Sequence, residues 1–142
     1  MSRSAVVVIA PDSFKGTLRA DEVAAALARG WRSVRPGDEI RLAPLADGGE
    51  GTLDAIEAAG GWRRERTVVR DPLGRPVEAA WLSSSDAADG ARGVVEMATG
   101  SGLSLVAPEE RDPVRASSGG LGELIVAALD AGVRDLVVGI GG

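Results

Sequence analysis

A short β-branched run, Val6-Val7-Val8-Ile9, stops at Pro11 and gives way to a helical stripe of Val23, Leu27, Trp31 and Val34. A strand covered on both faces reads as a continuous apolar run, and the helix that covers it shows one apolar stripe. Asp21 and Glu22 fall in the first turn of that helix, where the dipole favours acids, and Pro36-Gly37 ends it. Ile40, Leu42 and Leu45 then mark a second strand. Thr52 to Ala59 forms a second helix carrying Leu53 and Ile56, closed by Gly60-Gly61. Strand, helix, strand, helix predicts the α/β class, a parallel sheet with flanking helices and right-handed crossovers.

The pattern changes after Gly61. Thr67 to Arg70 and Val77 to Leu82 flank Asp71-Pro72-Leu73-Gly74-Arg75-Pro76, whose Pro and Gly stand in turn order, so an antiparallel hairpin is predicted. Ser83 to Gly90 is small and polar and reads as an exposed loop. Val94 to Met97 is a short strand that the sequence assigns to neither part, and Pro108 to Arg115 is a charged loop. A helix returns at Gly120 to Ala131, with Leu121, Leu124, Ile125, Ala128 and Leu129 on one face, and Asp135 to Ile140 makes another apolar strand. The predicted division has residues 1–62 and 99–142 in an incomplete α/β parallel-sheet domain. Residues 63–98 form a β-rich excursion belonging to a second, smaller domain. The last strand runs into Gly141-Gly142 with no helix after it, so the chain reads as a truncated, amino-terminal fragment.

Composition narrows the chemistry. The 142 residues contain no cysteine and no histidine, so acid–base work falls to Asp, Glu, the hydroxyls, bound water and Lys15. Ser-His-Asp and Cys-His catalysis are excluded for this chain. The net charge of -5 and the single basic cluster at Arg63, Arg64 and Arg66 argue against a nucleic-acid or anionic-membrane surface. No stretch approaches a membrane span and no secretory leader is visible, so a cytoplasmic location is expected.

Lys15 is the only lysine; the other fifteen of the 16 basic residues are arginine. It lies in Asp12-Ser13-Phe14-Lys15-Gly16-Thr17, between a strand and a helix, where a parallel sheet presents ligand-binding groups. Phosphate or carboxylate binding by Asp12, Ser13 and Lys15 is one reading. Turn hydrogen bonds from Asp12 and Ser13 with a solvated Lys15 is the other. A second loop, Asp47-Gly48-Gly49-Glu50-Gly51-Thr52, sets three glycines among two carboxylates. Glycines let the main chain approach a ligand, and Asp47 or Glu50 can hold magnesium, accept a substrate hydroxyl or take its proton. The same residues also resemble a capping box, with Asp47 as cap and Glu50 three positions on. Ser117-Ser118-Gly119-Gly120 opens a helix and could hold an anion or simply start the helix. Neither the Walker nor the dinucleotide glycine pattern is present.

Taken together, these loops resemble the amino-terminal part of the bacterial glycerate kinase family. The likeness rests on Ala10 to Gly16, Pro44 to Thr52, Asp71-Pro72-Leu73-Gly74, Glu96-Met97-Ala98 with Ser101-Gly102-Leu103, Gly120 with Gly122 to Ile125, and Gly139 to Gly142. The resemblance implies phosphorylation of D-glycerate by ATP with Mg2+, in a cleft between two α/β domains of a longer kinase chain. It implies Lys15 and Asp47 as catalytic residues, with Asp12, Ser13, Gly48, Gly49, Glu50 and Gly51 binding substrate. Ser118, Gly120, Gly141 and Gly142 would meet the nucleotide, and Glu50 the metal. Arg19 stands where the family often has a capping serine, and Gly119 and Leu121 replace a larger residue and a threonine. The competing expectation is a non-catalytic anion-binding or interaction module of the same fold.

Overall fold

The structure, a computed structural model, describes residues 4–84 and 91–141. The chain divides into two compact units, Met1–Asp47 and Gly48–Gly142.

In the first unit, strand β1 (Val6–Ile9) pairs in parallel with β2 (Glu39–Leu42), Val6 opposite Glu39 and Ile9 opposite Leu42. Helix α1 (Ala20–Val34) makes the crossover that a parallel pair requires. Arg19 takes the helix-capping position with an extended backbone, and its amide donates to the Glu22 carboxylate at 2.9 Å. The acid three residues on thus satisfies the cap residue's own amide, the reciprocal half of a capping box. The predicted stripe is corrected at this helix. Its buried face is Val23, Ala24 and Ala28, whereas Leu27, Trp31 and Val34 remain exposed. Alanines let the helix backbone approach the small sheet closely, and the core is Ile9, Ala24 and Ala28 with Val7 and Ile40 against it. β1 is likewise not covered on both faces: Val6 and Val8 are 56% and 61% exposed. Asp38 closes the unit. Its carboxylate accepts from Arg35 Nε at 2.6 Å, Trp31 Nε1 at 3.0 Å and the Ala5 amide at 3.1 Å. The Arg35 guanidinium, then those two donors, hold this carboxyl far below the usual carboxylate range.

The second unit opens with helix α2 (Thr52–Ala58) and then builds a hairpin from β3 (Trp62–Arg70) and β4 (Pro76–Ser84). The two strands are antiparallel, Trp62 opposite Ser84 and Arg70 opposite Pro76. The predicted hairpin is present and longer than expected. At its turn Gly74 has φ +86°, and the buried Asp71 carboxylate accepts from the Leu73 and Arg75 amides, each at 2.8 Å, and from Arg75 Nε at 2.6 Å. Burial pushes that carboxyl up, but the Arg75 amide and guanidinium and the Leu73 amide outweigh it and the net direction is down. The basic cluster is neutralised where it stands: Arg63 pairs with Glu65, Arg64 with Asp54 and Glu57, and Arg66 with Glu78.

Strand β5 (Ala91–Glu96) pairs antiparallel with β4, and helices α3 (Met97–Ser101) and α4 (Gly119–Asp130) lead to β6 (Val133–Gly139), which lies parallel to β5. The sheet order is β3-β4-β5-β6. One face packs Val69, Ala79, Trp81, Val95 and Val133 against Leu124 and Ala128 of α4. The other packs Leu82 and Val94 against Leu53 of α2. Segments 63–98 and 99–142 therefore share one sheet, which differs from the predicted separation of 63–98. The physical reason is β6, whose apolar residues complete β5 instead of leaving the hairpin alone. The predicted loop at Ser83 to Gly90 is corrected at its start, since Ser83 and Ser84 belong to β4; Ser85 to Gly90 lie outside the described residues. Met97 begins α3 and does not end β5.

Candidate functional site

In a parallel sheet, loops at the carboxyl ends of the strands carry ligand-binding groups. In the first unit the segments that carry Lys15 and Asp47 leave that end. The Leu45 amide donates to the Pro11 carbonyl at 2.9 Å, and the Ala43 amide to Ile9 at 2.9 Å, so the segments following β1 and β2 start side by side. The first becomes a tight turn closed by Phe14 N to Leu18 O at 2.9 Å and Thr17 N to Phe14 O at 2.7 Å, with Gly16 at φ +73°. Lys15 stands exposed at its tip. Asp12 accepts the Ser13 amide at 2.6 Å, which is the turn bond foreseen as one of the two readings. Asp47, also exposed, ends the second segment, so Lys15 and Asp47 each follow the carboxyl end of one strand of the parallel β1–β2 pair.

In the second unit the Gly48–Gly51 loop sits over the carboxyl ends of β5 and β6. Glu96 and Gly139 are register partners at those ends. The Gly141 amide donates to the Gly48 carbonyl at 3.1 Å, and a Cβ placed on Gly139 would stand 2.6 Å from that same oxygen. Only glycine at 139 admits this backbone contact. The Glu96 carboxylate, 4% exposed, accepts the Leu53 amide at 2.9 Å and is also bonded by the Gly51 amide. Burial pushes this carboxyl up; the Leu53 and Gly51 amides pull the other way, Asp54 adds to the rise, and Arg64 opposes it.

This arrangement corrects the capping-box reading. Helix α2 begins at Thr52, its cap is Gly51 with φ 91°, and no side chain of the loop caps it. The acceptor is Glu96, 43 residues away in sequence. The Gly51 amide is therefore engaged inside the protein. Gly48 and Glu50 remain beside Gly49, which is buried and hydrogen-bonded through its carbonyl to the Thr52 hydroxyl at 2.8 Å. Glu96 was not among the predicted site residues. The signal that could have found it is an acid ending an apolar strand, Val94-Val95-Glu96.

The nucleotide candidates are not gathered together. Ser118 precedes α4 and its carbonyl accepts the Leu121 amide at 3.1 Å, while the hydroxyls of Ser117 and Ser101 take the Gly119 and Leu121 amides. Gly120 is a packing glycine: a Cβ there would overlap the carbonyl oxygens of Arg70 and Gly100. These residues adjoin the end of β3, at the opposite edge of the sheet from β6 and Gly141. Gly142 lies outside the described residues.

Residues 7–142 match the model of the glycerate kinase family. The chain belongs to that family. It is 48% identical over 136 residues to glycerate kinase of Bacillus subtilis and 46% identical to glycerate 2-kinase of Escherichia coli, covering 96% of this chain and 35% of each relative. The crystal structure of a candidate glycerate kinase 2 from Salmonella typhimurium LT2 superposes with a TM-score of 0.73 at 46% identity, covering 99% of this chain and 37% of that one. The chain thus spans about a third of the length of the family members it matches. The mixed α/β fold accords with this membership, and no described helix is long and apolar enough to cross a membrane.

Proposed function

We propose that this chain carries the substrate side of a cytoplasmic kinase that transfers a phosphoryl group from ATP to a hydroxyl of D-glycerate, and that it acts together with the rest of a polypeptide of its relatives' length. What supports the reading is that the segments leading to the lone lysine and to Asp47 leave the same ends of β1 and β2 and start side by side. Phosphoryl transfer asks a protein mainly to position an acceptor in line and to neutralise charge. Lys15, a compact ammonium on a flexible stem, binds the glycerate carboxylate or the phosphoryl group. Asp47 orients the acceptor hydroxyl or takes its proton. Asp12, Ser13 and the main chain at Gly48 and Gly49 complete the substrate contacts. Gly51 contributes conformation, its amide being held by Glu96. On the nucleotide side this reading keeps Gly141 and Gly142; Gly120 is taken up by packing against Arg70 and Gly100, and Ser118 lies beside it at the sheet edge away from Gly141.

Among the described residues no three acids converge into a metal cage. In this reading a magnesium ion would be shared with phosphate oxygens and held on the protein side by the carboxylate of Glu50 or Asp12, where it would neutralise phosphate charge. The test is a coupled assay for ADP with D-glycerate, ATP and Mg2+, run on the 142-residue chain and on this chain joined in register to the remainder of the Bacillus subtilis relative. Glycerate-dependent turnover is expected in the joined protein and not in the 142-residue chain. A folded joined protein without turnover overturns the kinase reading and favours the non-catalytic module.

A further inference from the structure

The second unit buries two acids outside the functional reading: Asp71, paired with Arg75 at the hairpin turn, and Glu96, which has no ion-pair partner in direct contact among the described residues. Glu96 ends β5, its carboxylate is shut away from water, and its hydrogen-bond partners are amides of a loop and a helix start that lie 43 residues or more earlier in the chain. An ionised carboxylate buried without a guanidinium or ammonium in direct contact is costly, and simple packing would be served as well by an apolar residue. What the acid gains is two charge-assisted bonds to the main chain at Gly51 and Leu53. On the other side of the same loop, Gly48 lies against the backbone of Gly139 and Gly141. The loop is therefore clamped at its beginning by β6 and at its end by β5, through two strands that are register neighbours at that point.

We propose that Glu96 is a positioning residue: its carboxylate, by holding the Gly51 and Leu53 amides, fixes the Gly48–Gly51 loop in the conformation that receives D-glycerate. This rests on the kinase reading for the identity of the ligand and on the geometry alone for the clamp. Two charged side chains face the carboxylate, Asp54 from α2 and Arg64 from β3, and Arg64 is itself tied to Asp54 and Glu57. Glu96 thus shares Arg64 only at a distance, and its contacts are the loop amides.

The experiment compares the 142-residue protein with its Glu96→Gln variant by amide exchange and by titration with D-glycerate, both followed by NMR. Glutamine keeps the volume but carries no charge and puts an NH2 donor in place of one carboxylate oxygen, so it holds the two amides less tightly than the carboxylate does. The expected result is that Leu53 exchanges about tenfold faster or more in the variant while Val94 and Val95 keep their protection, the tenfold corresponding to the loss of roughly one hydrogen bond to a charged group. D-Glycerate should perturb Gly48, Gly49 and Glu50 in the wild type and bind at least about tenfold more weakly in the variant. Unchanged Leu53 protection overturns the proposal. So does an equal loss at Leu53, Val94 and Val95, since that would mark Glu96 as part of the global fold only. Unaltered glycerate affinity in a variant with a loosened loop also overturns the positioning role. If D-glycerate perturbs nothing in the wild type, the kinase reading loses its support in this chain, and the exchange comparison still judges the clamp by itself.

Discussion

The two glycine-bearing loops of this chain are held in opposite ways. Asp12–Leu18 is closed by its own neighbours: Phe14 bonds Leu18 and Thr17, and Asp12 bonds Ser13. Gly48–Gly51 is held by residues far away in sequence, Glu96 at one end and Gly139 with Gly141 at the other. A turn closed only by short-range bonds leaves its tip, here Lys15, free to follow a ligand. A loop clamped by two strands has already given up its conformational freedom, so a ligand that meets it need not supply that entropy. The lysine is read as the adaptable contact and the glycine loop as the preformed one.

If that contrast holds, chemistry should be most sensitive at Asp47, the carboxylate that precedes the rigid loop. In the joined protein described above, Asp47→Asn should lower turnover about 10²-fold or more if the carboxylate takes the acceptor proton. Steady-state kinetics with saturating D-glycerate measure it. Turnover within a few-fold of the parent would remove Asp47 as the base, leaving it at most an orienting role.

Next in size is the backbone contact behind the loop. Gly139→Ala places a methyl 2.6 Å from the Gly48 carbonyl, against main chain that cannot swing aside as a side chain would. Forcing extra volume into such a contact costs about 1–3 kcal/mol. Urea unfolding of the 142-residue protein gives the number, and exchange at Gly141 shows whether the bond to Gly48 is the part that is lost. A variant as stable as the parent with Gly141 still protected would mean that the loop yields easily, and the contrast between the two loops would fail there.

How much of this is legible in the sequence follows from the range of each interaction. The longer strands and helices and the hairpin are legible because periodicity and turn chemistry are local: the Pro-Leu-Gly turn and the Leu124-to-Ala128 face each declare themselves within a few residues, whereas the five-residue α3 is too short to show a period. The stripe on α1 misleads because large residues draw attention, while the contact is made by Ala24 and Ala28, whose value lies in being small. The place of β6 beside β5 depends on pairing across some forty residues, and nothing in Leu136-Val137-Val138 names its partner. The same limit hides Glu96. A capping acid three residues from its helix is visible in a sequence, whereas one 43 residues away is seen only when the chain has folded. The common end of the segments that carry Lys15 and Asp47 is the converse case. Each follows a strand of a parallel pair, and parallel pairing alone puts both at the same end.

The smallest expected effect lies in the other loop. Gly16 has φ +73°, like the glycines of the clamped loop, but a Cβ there would meet nothing within 4 Å. Gly16→Ala therefore carries only the penalty of a left-handed residue, about 1 kcal/mol, without any overlap. Because the surrounding turn is closed by Phe14 and Leu18 and by no distant strand, it can relieve part of that penalty by shifting its own backbone. Urea unfolding of Gly16→Ala should thus show a loss no larger than that of Gly139→Ala, with exchange at Leu18 rising and exchange at Leu53 unchanged. A loss exceeding that of Gly139→Ala would mean that the lysine turn is the rigid element, and the roles assigned to the two loops would have to be exchanged.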